Sequence, residues 1–519
     1  MSFIQLHRAP SRPRLQARRA SSSVRAVTER TRRVLATAGV ALVALLLGLA
    51  LRPAFVNGDG LGFLKAAPSG DIVPGHLGYL PLLRAAGALA GRTTSLAMLG
   101  PARAVSLVSL VIAALALLGA ARRVLDESGA LIAAVGLAVS YGALEAGADV
   151  ESYAPALAMM CVTTWCAMRR RDGGHALWLV ATALGVAGAA LLHIENVLFA
   201  PAAALLAASR ADRRPRIADV LAVLFGSGAP VLVAYALAAH AQGQAGSLTS
   251  ALHWVTGASH GFSYPLRWST PAVAVYGMAK TLVYAPYPHQ ASWARVIGEA
   301  AAGVCALATM LWLARRPERR APLGLLVGAA WVLPYAIVGV AFFASDNERW
   351  LFLLPPAWLV AGAGAQSSPR ARSVAIGLVA TLLACDLGLG VPLARDRTLG
   401  DRAASLAGHL APNDLVISPG HSWDEYLGFY DDKSLDRFPM IYFCGQLGSG
   451  EAMRKELDHR VTDARARGSR IWFLRADEPV TSDGWKELVR FGIDPVTFRN
   501  YLPKSDLVPE ARGMQRLVP

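Results

Sequence analysis

Hydrophobic residues in this chain gather into eleven blocks, at 34–51, 104–121, 129–144, 152–168, 175–192, 197–209, 217–239, 296–314, 323–343, 350–365 and 373–393, and clusters of arginine interrupt them. Most blocks are roughly 15 to 22 residues long, which as helix matches a hydrocarbon layer about 30 Å thick. Each is read as a membrane span, although 197–209 is short and needs residues from its neighbours to cross upright. The stretch LGYLPLLRAAGALAG (77–91) is also apolar. Counting it as a span would put every later basic loop on the wrong side, so it is read as an amphipathic helix at the outer interface, with Arg84 directed to headgroups. Past residue 393 the pattern changes. The runs DLVISPG, WDEYLGFY, FPMIYF, GEAMRKELDHRVTDARARG, RIWFLRA and DGWKELVRFG alternate strand-like with helix-like character, which predicts a small parallel α/β domain.

Composition agrees with a polytopic membrane protein. Of 519 residues, 54% are hydrophobic and 17% charged, against about 25% charged in soluble proteins, and the mean hydropathy is +0.38. The net charge of +15 raises the question of nucleic acid, and its placement answers it. Residues 1–33 carry nine arginines against Glu29, a net of +8. With the loops at 122–128, 169–172, 210–216, 315–320 and 369–372 the same side holds about +18, and the rest of the chain about −3. This is the positive-inside distribution, so no nucleic-acid partner is implied.

The domain reading follows: a basic cytoplasmic tail over 1–33, a transmembrane region over 34–393 with external loops 52–103 and 240–295, and a periplasmic α/β domain over 394–519. The expected location is a bacterial inner membrane, with the first span a retained signal anchor. Trp254, Trp268, Tyr276, Tyr284 and Tyr287 suit an interfacial aromatic belt. Of the five cysteines, Cys161, Cys166, Cys305 and Cys385 fall in apolar blocks and only Cys444 in the polar domain, so no disulfide framework is expected.

Acidic residues before the C-terminal domain concentrate on one side. Asp59, Asp71, Glu145, Asp149, Glu151, Glu195, Asp346 and Glu348 all fall at external helix ends. Ionisable groups near bilayer depth line an aqueous cavity or pair with a partner, so these acids, Asp149, Glu151 and Glu195 among them, are candidates for one outward cavity. The C-terminal region contains no G-x-G-x-x-G and no P-loop, so nucleotide binding has no support.

The first external loop reads NGDGLGFLKAAPSGDIVPGHLGYLPLL. Its Asp59-Gly60-Leu61-Gly62 and His76-Leu77-Gly78-Tyr79-Leu80-Pro81-Leu82 resemble the Asp-Ser-Gly-Glu and His-Pro-Pro-Gly-Tyr-Pro-Leu elements of GT-C glycosyltransferases similar to protein O-mannosyltransferases. Glu151-Ser152-Tyr153 resembles their Glu-x-Tyr. Gly62 departs from the pattern where a Glu is expected, and the Pro-Pro pair is absent.

What this resemblance implies is a GT-C-like fold and transfer of a hexose, mannose-like, from a polyprenyl-phosphate donor to a hydroxyl acceptor on the periplasmic face, with inversion. Such a reaction needs a base for the acceptor proton and cations or donors for the departing phosphate. Asp59 is the candidate catalytic base. Arg349, Lys65, His76 and Arg267 are candidates for the donor phosphate, and Arg349 can equally be an interfacial anchor or an ion-pair partner of Glu348 or Asp346. Some members of the superfamily use a divalent cation and others do not, and both cases stay open here. The acceptor, whether protein, lipid or glycan, is left open too. The competing readings are a polymerase or ligase of cell-surface polysaccharide and a polytopic transporter.

Overall fold

The computed structural model describes residues 12–56, 58–209, 216–244, 267–284, 293–315, 322–395, 406–419, 435–474, 491–494, 507–511 and 514–517, with positions 247, 249, 254, 429, 488 and 489 between them. Helix α1 runs from Arg12 to Ala50. The basic tail and the first span are therefore one helix rather than two segments meeting at 33: arginine is a good helix former, and no proline after Pro13 interrupts the run. Its apolar part is Thr28–Ala50.

Next come α2 (Gly58–Ser69), a 3₁₀ turn at Pro74–His76, α3 (Tyr79–Leu89), α4 (Leu99–Ala121), α5 (Glu127–Ala138), α6 (Tyr141–Ala148), α7 (Tyr153–Arg171), α8 (Leu177–Leu192), α9 (Ala200–Ala208) and α10 (Ile217–Ala241). The series continues with α11 (Thr270–Leu282), α12 (Trp293–Ala314), α13 (Pro322–Phe343), α14 (Leu354–Ala365), α15 (Pro369–Cys385) and α16 (Val391–Ala394). Each of the eleven apolar blocks coincides with helix. Among the described residues five helices are long and apolar enough to cross a membrane alone, six if the bent pair α5–α6 is one span. The chain is a multi-pass membrane protein.

The 55° bend between α5 and α6 has a local cause. Ser140 turns its hydroxyl back to the Gly136 carbonyl at 2.8 Å and accepts the indole N–H of Trp358 at 2.9 Å, a side-chain bond that competes with the helix ladder. Trp358 is fully buried, and a Cβ at Gly136 would stand inside its ring. Small residues of this kind let the helix backbones close on one another, which is how helices associate where lipid is as apolar as leucine. The bend carries Glu145 toward the outer ends of the other helices.

The first external loop is folded, not loose. Its Gly78 N–H donates to the Leu191 carbonyl at 2.7 Å, Ala54 N–H donates to the Ala394 carbonyl at 2.8 Å, and Arg103 donates to the Pro53 carbonyl at 2.8 Å. The stretch 77–91, expected as an interfacial helix, contains α3, where Arg84 donates to the Asp71 carbonyl.

The C-terminal residues form a five-stranded sheet in the order β2-β1-β3-β5-β4, from β1 (Leu415–Ser418), β2 (Asp436–Pro439), β3 (Ile471–Leu474), β4 (Leu507–Ala511) and β5 (Met514–Leu517). β1 pairs in parallel with β2 and β3, whereas β5 pairs antiparallel with β3 and β4, so the sheet is mixed where an all-parallel one was expected. FPMIYF is a strand only as far as Pro439. Pro439 is the extended N-cap of helix α17 (Met440–Leu447), which Gly448 stops at φ 74°. Helix α18 (Gly450–Ala466) matches GEAMRKELDHRVTDARARG, its start capped by Ser449 accepting from Ala452 N–H at 3.1 Å. WDEYLGFY, apart from Phe429, and most of DGWKELVRFG lie outside the described residues.

Val416, Trp472 and Leu474 of the sheet, with Leu406 and Leu410, belong to one buried cluster with Leu61, Phe63 and Leu64 of α2 and Tyr79, Leu80 and Leu83 of α3. The sheet is thus part of the core that seats the first external loop. Trp472 is 2% exposed and donates to Asp414 at 2.8 Å. Trp472→Ala is expected to cost about 3–5 kcal/mol, seen as a lower thermal midpoint, and to speed hydrogen exchange in α2. Unchanged exchange there would show that the two parts pack independently.

Candidate functional site

Six segments far apart in sequence converge at one end of the helices. The Asp346–Arg349 turn between α13 and α14 supplies two acids and an arginine, and Glu195 enters from the turn between α8 and α9. Arg349 forms ion pairs with Glu195 and, at 3.7 Å, with Asp346. Glu145 of α6 accepts from Asn347 and, at 3.1 Å, from the Tyr141 hydroxyl. Lys280, in the last turn of α11 and 4% exposed, lies in the field of Glu145, Asp346 and Glu348. Asp59, in the first turn of α2, is exposed and acts electrostatically on His76, Asp346 and Glu348.

The electrostatics follow from placing five carboxylates against two cations in a poorly hydrated place. Burial pushes Glu348 well above the ordinary carboxylate range, and Asp346, Asp59 and Glu145 push it further. Burial also raises Asp346 and Glu195, with Arg349 opposing both shifts. Burial disfavours the charge on Arg349, but the fields of Tyr153, Glu195, Asp346 and Glu348 outweigh it and hold the guanidinium firmly protonated. For Lys280 burial prevails over its acidic neighbours and lowers the ammonium.

Two close approaches build this arrangement. Gly277 of α11 faces the Ala344 carbonyl and the Trp350 indole so closely that a Cβ would overlap both, and Thr281 donates to the Asn347 carbonyl at 3.1 Å. This contact fixes Lys280 beside the 346–349 turn. On the other side Asn196 donates to His193 and Ala189 carbonyls and accepts from Tyr335 at 2.7 Å, which fixes the turn bearing Glu195.

The candidates read from the sequence divide accordingly. Asp59, Arg349 and Glu195 come together. His76 reaches the same place, but as a neutral ring: its Nδ1–H points at the Leu192 carbonyl at 3.3 Å, and burial holds its pKa at about 4. It packs edge-on against Phe63 and His193 at 5.0 and 4.9 Å, and so supplies no cation for a phosphate. Arg267 is exposed ahead of α11, 13 residues and hence about 20 Å along the helix from Lys280. The cation that this segment delivers is Lys280, which sequence reading missed; a lone lysine on an otherwise apolar helix was the available signal. Lys65 is half-buried on α2, about 120° around the helix from Asp59. Asp149 and Glu151 are 5% and 2% exposed and pack inward: Asp149 faces Arg103 at 3.8 Å, and Glu151 meets Ser106 through its backbone.

At Gly62 a side chain would meet nothing within 4 Å, so the departure from the family pattern is one of chemistry and not of space. Among the described residues no group of three His, Cys, Asp or Glu is arranged to hold a metal ion. Beside the cluster, a cavity of about 370 Å³ runs between the first external loop and α8 and α10, lined by Val73, His76, Arg84, Leu191, Ala234 and Ala238 among others.

Residues 89–252 match the model of the dolichyl-phosphate-mannose-protein mannosyltransferase family. No curated protein matches by sequence. The structure is similar to that of ArnT from Cupriavidus metallidurans bound to undecaprenyl phosphate, with 14% identity over 94% of this chain and 98% of that one and a TM-score of 0.56; against its apo state the TM-score is 0.59. It is also similar to the oligosaccharyltransferase AglB from Archaeoglobus fulgidus in complex with an inhibitory peptide and a dolichol-phosphate, with 11% identity over 86% and 71% of the two chains and a TM-score of 0.50. The fold is shared with these two proteins, and the resemblance to protein O-mannosyltransferases is matched by the family model over 89–252, downstream of the Asp59 and His76 elements.

Two outcomes check the site's geometry. Gly277→Val is expected to push α11 off the 344–350 turn and expose Lys280, measured as faster amine labelling at that position. Because His76 is held at about 4 against 6.5 for a free imidazole, its contribution to stability is complete above pH 6.5 and is lost as pH falls through about 4. His76→Gln should flatten that part of the stability profile, and an unchanged profile would place the acid sensitivity elsewhere.

Proposed function

We propose that the protein transfers a hexose from a polyprenyl-phosphate donor to a hydroxyl acceptor at the outer face of a bacterial inner membrane, with inversion at the anomeric carbon. In this reading all eleven apolar blocks cross, the arginine-rich ends face the cytoplasm, and the cluster and the sheet face the periplasm. The observation that carries it is the convergence of Asp59 with Arg349 and Lys280 at one end of a fold shared with enzymes solved with polyprenyl phosphates.

Asp59, exposed at the start of α2, takes the proton of the acceptor hydroxyl. The acceptor oxygen attacks the anomeric carbon opposite the phosphate, the carbon–oxygen bond to the phosphate breaks, and the lipid phosphate leaves with the electron pair. Arg349 and Lys280 stabilise the charge that develops on it. Glu348, whose negative charge is disfavoured by burial and by Asp346, Asp59 and Glu145, adds little repulsion toward the phosphate. Arg349 is held ready by Glu195 and Asp346, which fix its guanidinium plane. The cavity beside His76 opens between α3 and α10, whose Leu232, Val233 and Leu237 are exposed to lipid, and admits the prenyl chain laterally.

The test is release of free polyprenyl phosphate from a panel of polyprenyl-phosphate hexoses by purified protein, with candidate acceptors supplied. Asp59→Asn should lower turnover about 100- to 10,000-fold, while Lys280→Met should weaken donor use more than acceptor use. Full turnover in Asp59→Asn would remove it as the base; no turnover of any donor by the wild type would sink the proposal.

A further inference from the structure

A second cavity lies at the opposite end of the helices from Asp59. It measures about 710 Å³ and is lined by Glu29, Arg30, Arg33, Val34, Thr37, Ala38 and Ala41 of α1 and by Leu115 and Arg122 of α4. The α1 positions recur every three or four residues, so they form one face of that helix. From Arg30 to Leu51, at the far end of the span, is 21 residues, about 30 Å of helix, or one hydrocarbon thickness. The groove is polar at its outer rim and aliphatic deeper in, and its chemistry is graded as that of a phospholipid is.

The rim has fixed and free parts. Arg122 is locked in place by Glu127 at 2.5 Å, Thr37 at 2.9 Å and the Arg33 carbonyl at 3.3 Å, and so ties α1 to α4 and α5. Among the described residues Arg33 is paired only with the exposed Glu29, at 2.7 Å, a contact worth little in water. Arg30 is exposed and makes no ion pair among the described residues. Three guanidinium groups and the weakly held Glu29 thus line the rim of one groove, and Val34, Ala38 and Ala41 with Leu115 continue its lining.

We propose that this groove binds an anionic phospholipid of the leaflet opposite the catalytic cluster, its phosphodiester held by Arg30 and Arg33 against the fixed Arg122 and one acyl chain lying along Val34, Ala38, Ala41 and Leu115. Basic pockets between helices at a cytoplasmic membrane face bind such headgroups. The phosphodiester displaces Glu29 from Arg33. The bound lipid fastens the start of the first span to α4, and through α1 it bears on the loop that carries Asp59.

Native mass spectrometry of the full-length protein, released from micelles containing equal phosphatidylglycerol and phosphatidylcholine, tests this directly. The expected result is preferential retention of phosphatidylglycerol, reduced about tenfold in the double variant Arg30→Gln, Arg33→Gln and largely kept in Arg33→Lys. Ala41→Phe, which fills the aliphatic part without changing charge, should lower retention too. Equal retention of the two lipids would overturn the proposal. So would an equal loss in the double variant Arg18→Gln, Arg19→Gln, which would mark a diffuse attraction to the whole basic tail, or displacement of the lipid by inorganic phosphate alone. Thermal midpoints of the variants separate loss of the site from loss of the fold.

Discussion

The cost of holding charge where water is scarce organises the outer end of this molecule. Removing one member of a buried, paired set strands the others, at about 3–5 kcal/mol, so Arg349, Glu195 and Asp346 exist there only as a group. Lys280 and Glu145 answer to the same constraint from α11 and α6. These side chains arrive on four separate segments, the 346–349 and 194–199 turns, α11 and α6, and the positions of the helices are set so that the charges meet.

That requirement explains features that look unrelated along the chain. The bend after α5, made by Ser140 and Trp358, turns Glu145 inward. The bare Gly277 lets α11 lie against the Ala344 carbonyl and so brings in Lys280. Asn196, held by three hydrogen bonds, stiffens the turn that offers Glu195. Small residues recur at the helix crossings, because close approach of backbones is what packing within a membrane can exploit.

Asp59 stands apart from this network in one respect: it is exposed, and its position comes from the hydrophobic core below it. Leu61, Phe63 and Leu64 anchor α2 in a cluster that includes Trp472 and Leu474 of the C-terminal sheet. The C-terminal sheet and the loop that carries Asp59 are therefore braced by the same apolar contacts. At the other end of α1 lie the exposed arginines and the aliphatic groove, so a single helix runs from one end of the bundle to the other.

By itself, the sequence determined what depends on local pattern: the apolar blocks, the clustering of the arginines between them, the helix after His76 and the helix GEAMRKELDHRVTDARARG. Those features follow from hydrophobic length, charge placement and motif, which are written within a few tens of residues. Tertiary structure decided the rest. It brought Lys280 to the acids, because a Cβ-free face at Gly277 sets which turn of α11 reaches them. It made His76 neutral, because the Leu192 carbonyl and burial fix its tautomer and remove its charge. It turned Asp149 and Glu151 inward with Arg103 and Ser106, and it gave the C-terminal sheet an antiparallel edge. Each of these depends on which groups, distant in sequence, share the same dry space, and pairing and desolvation of that kind have no local signature.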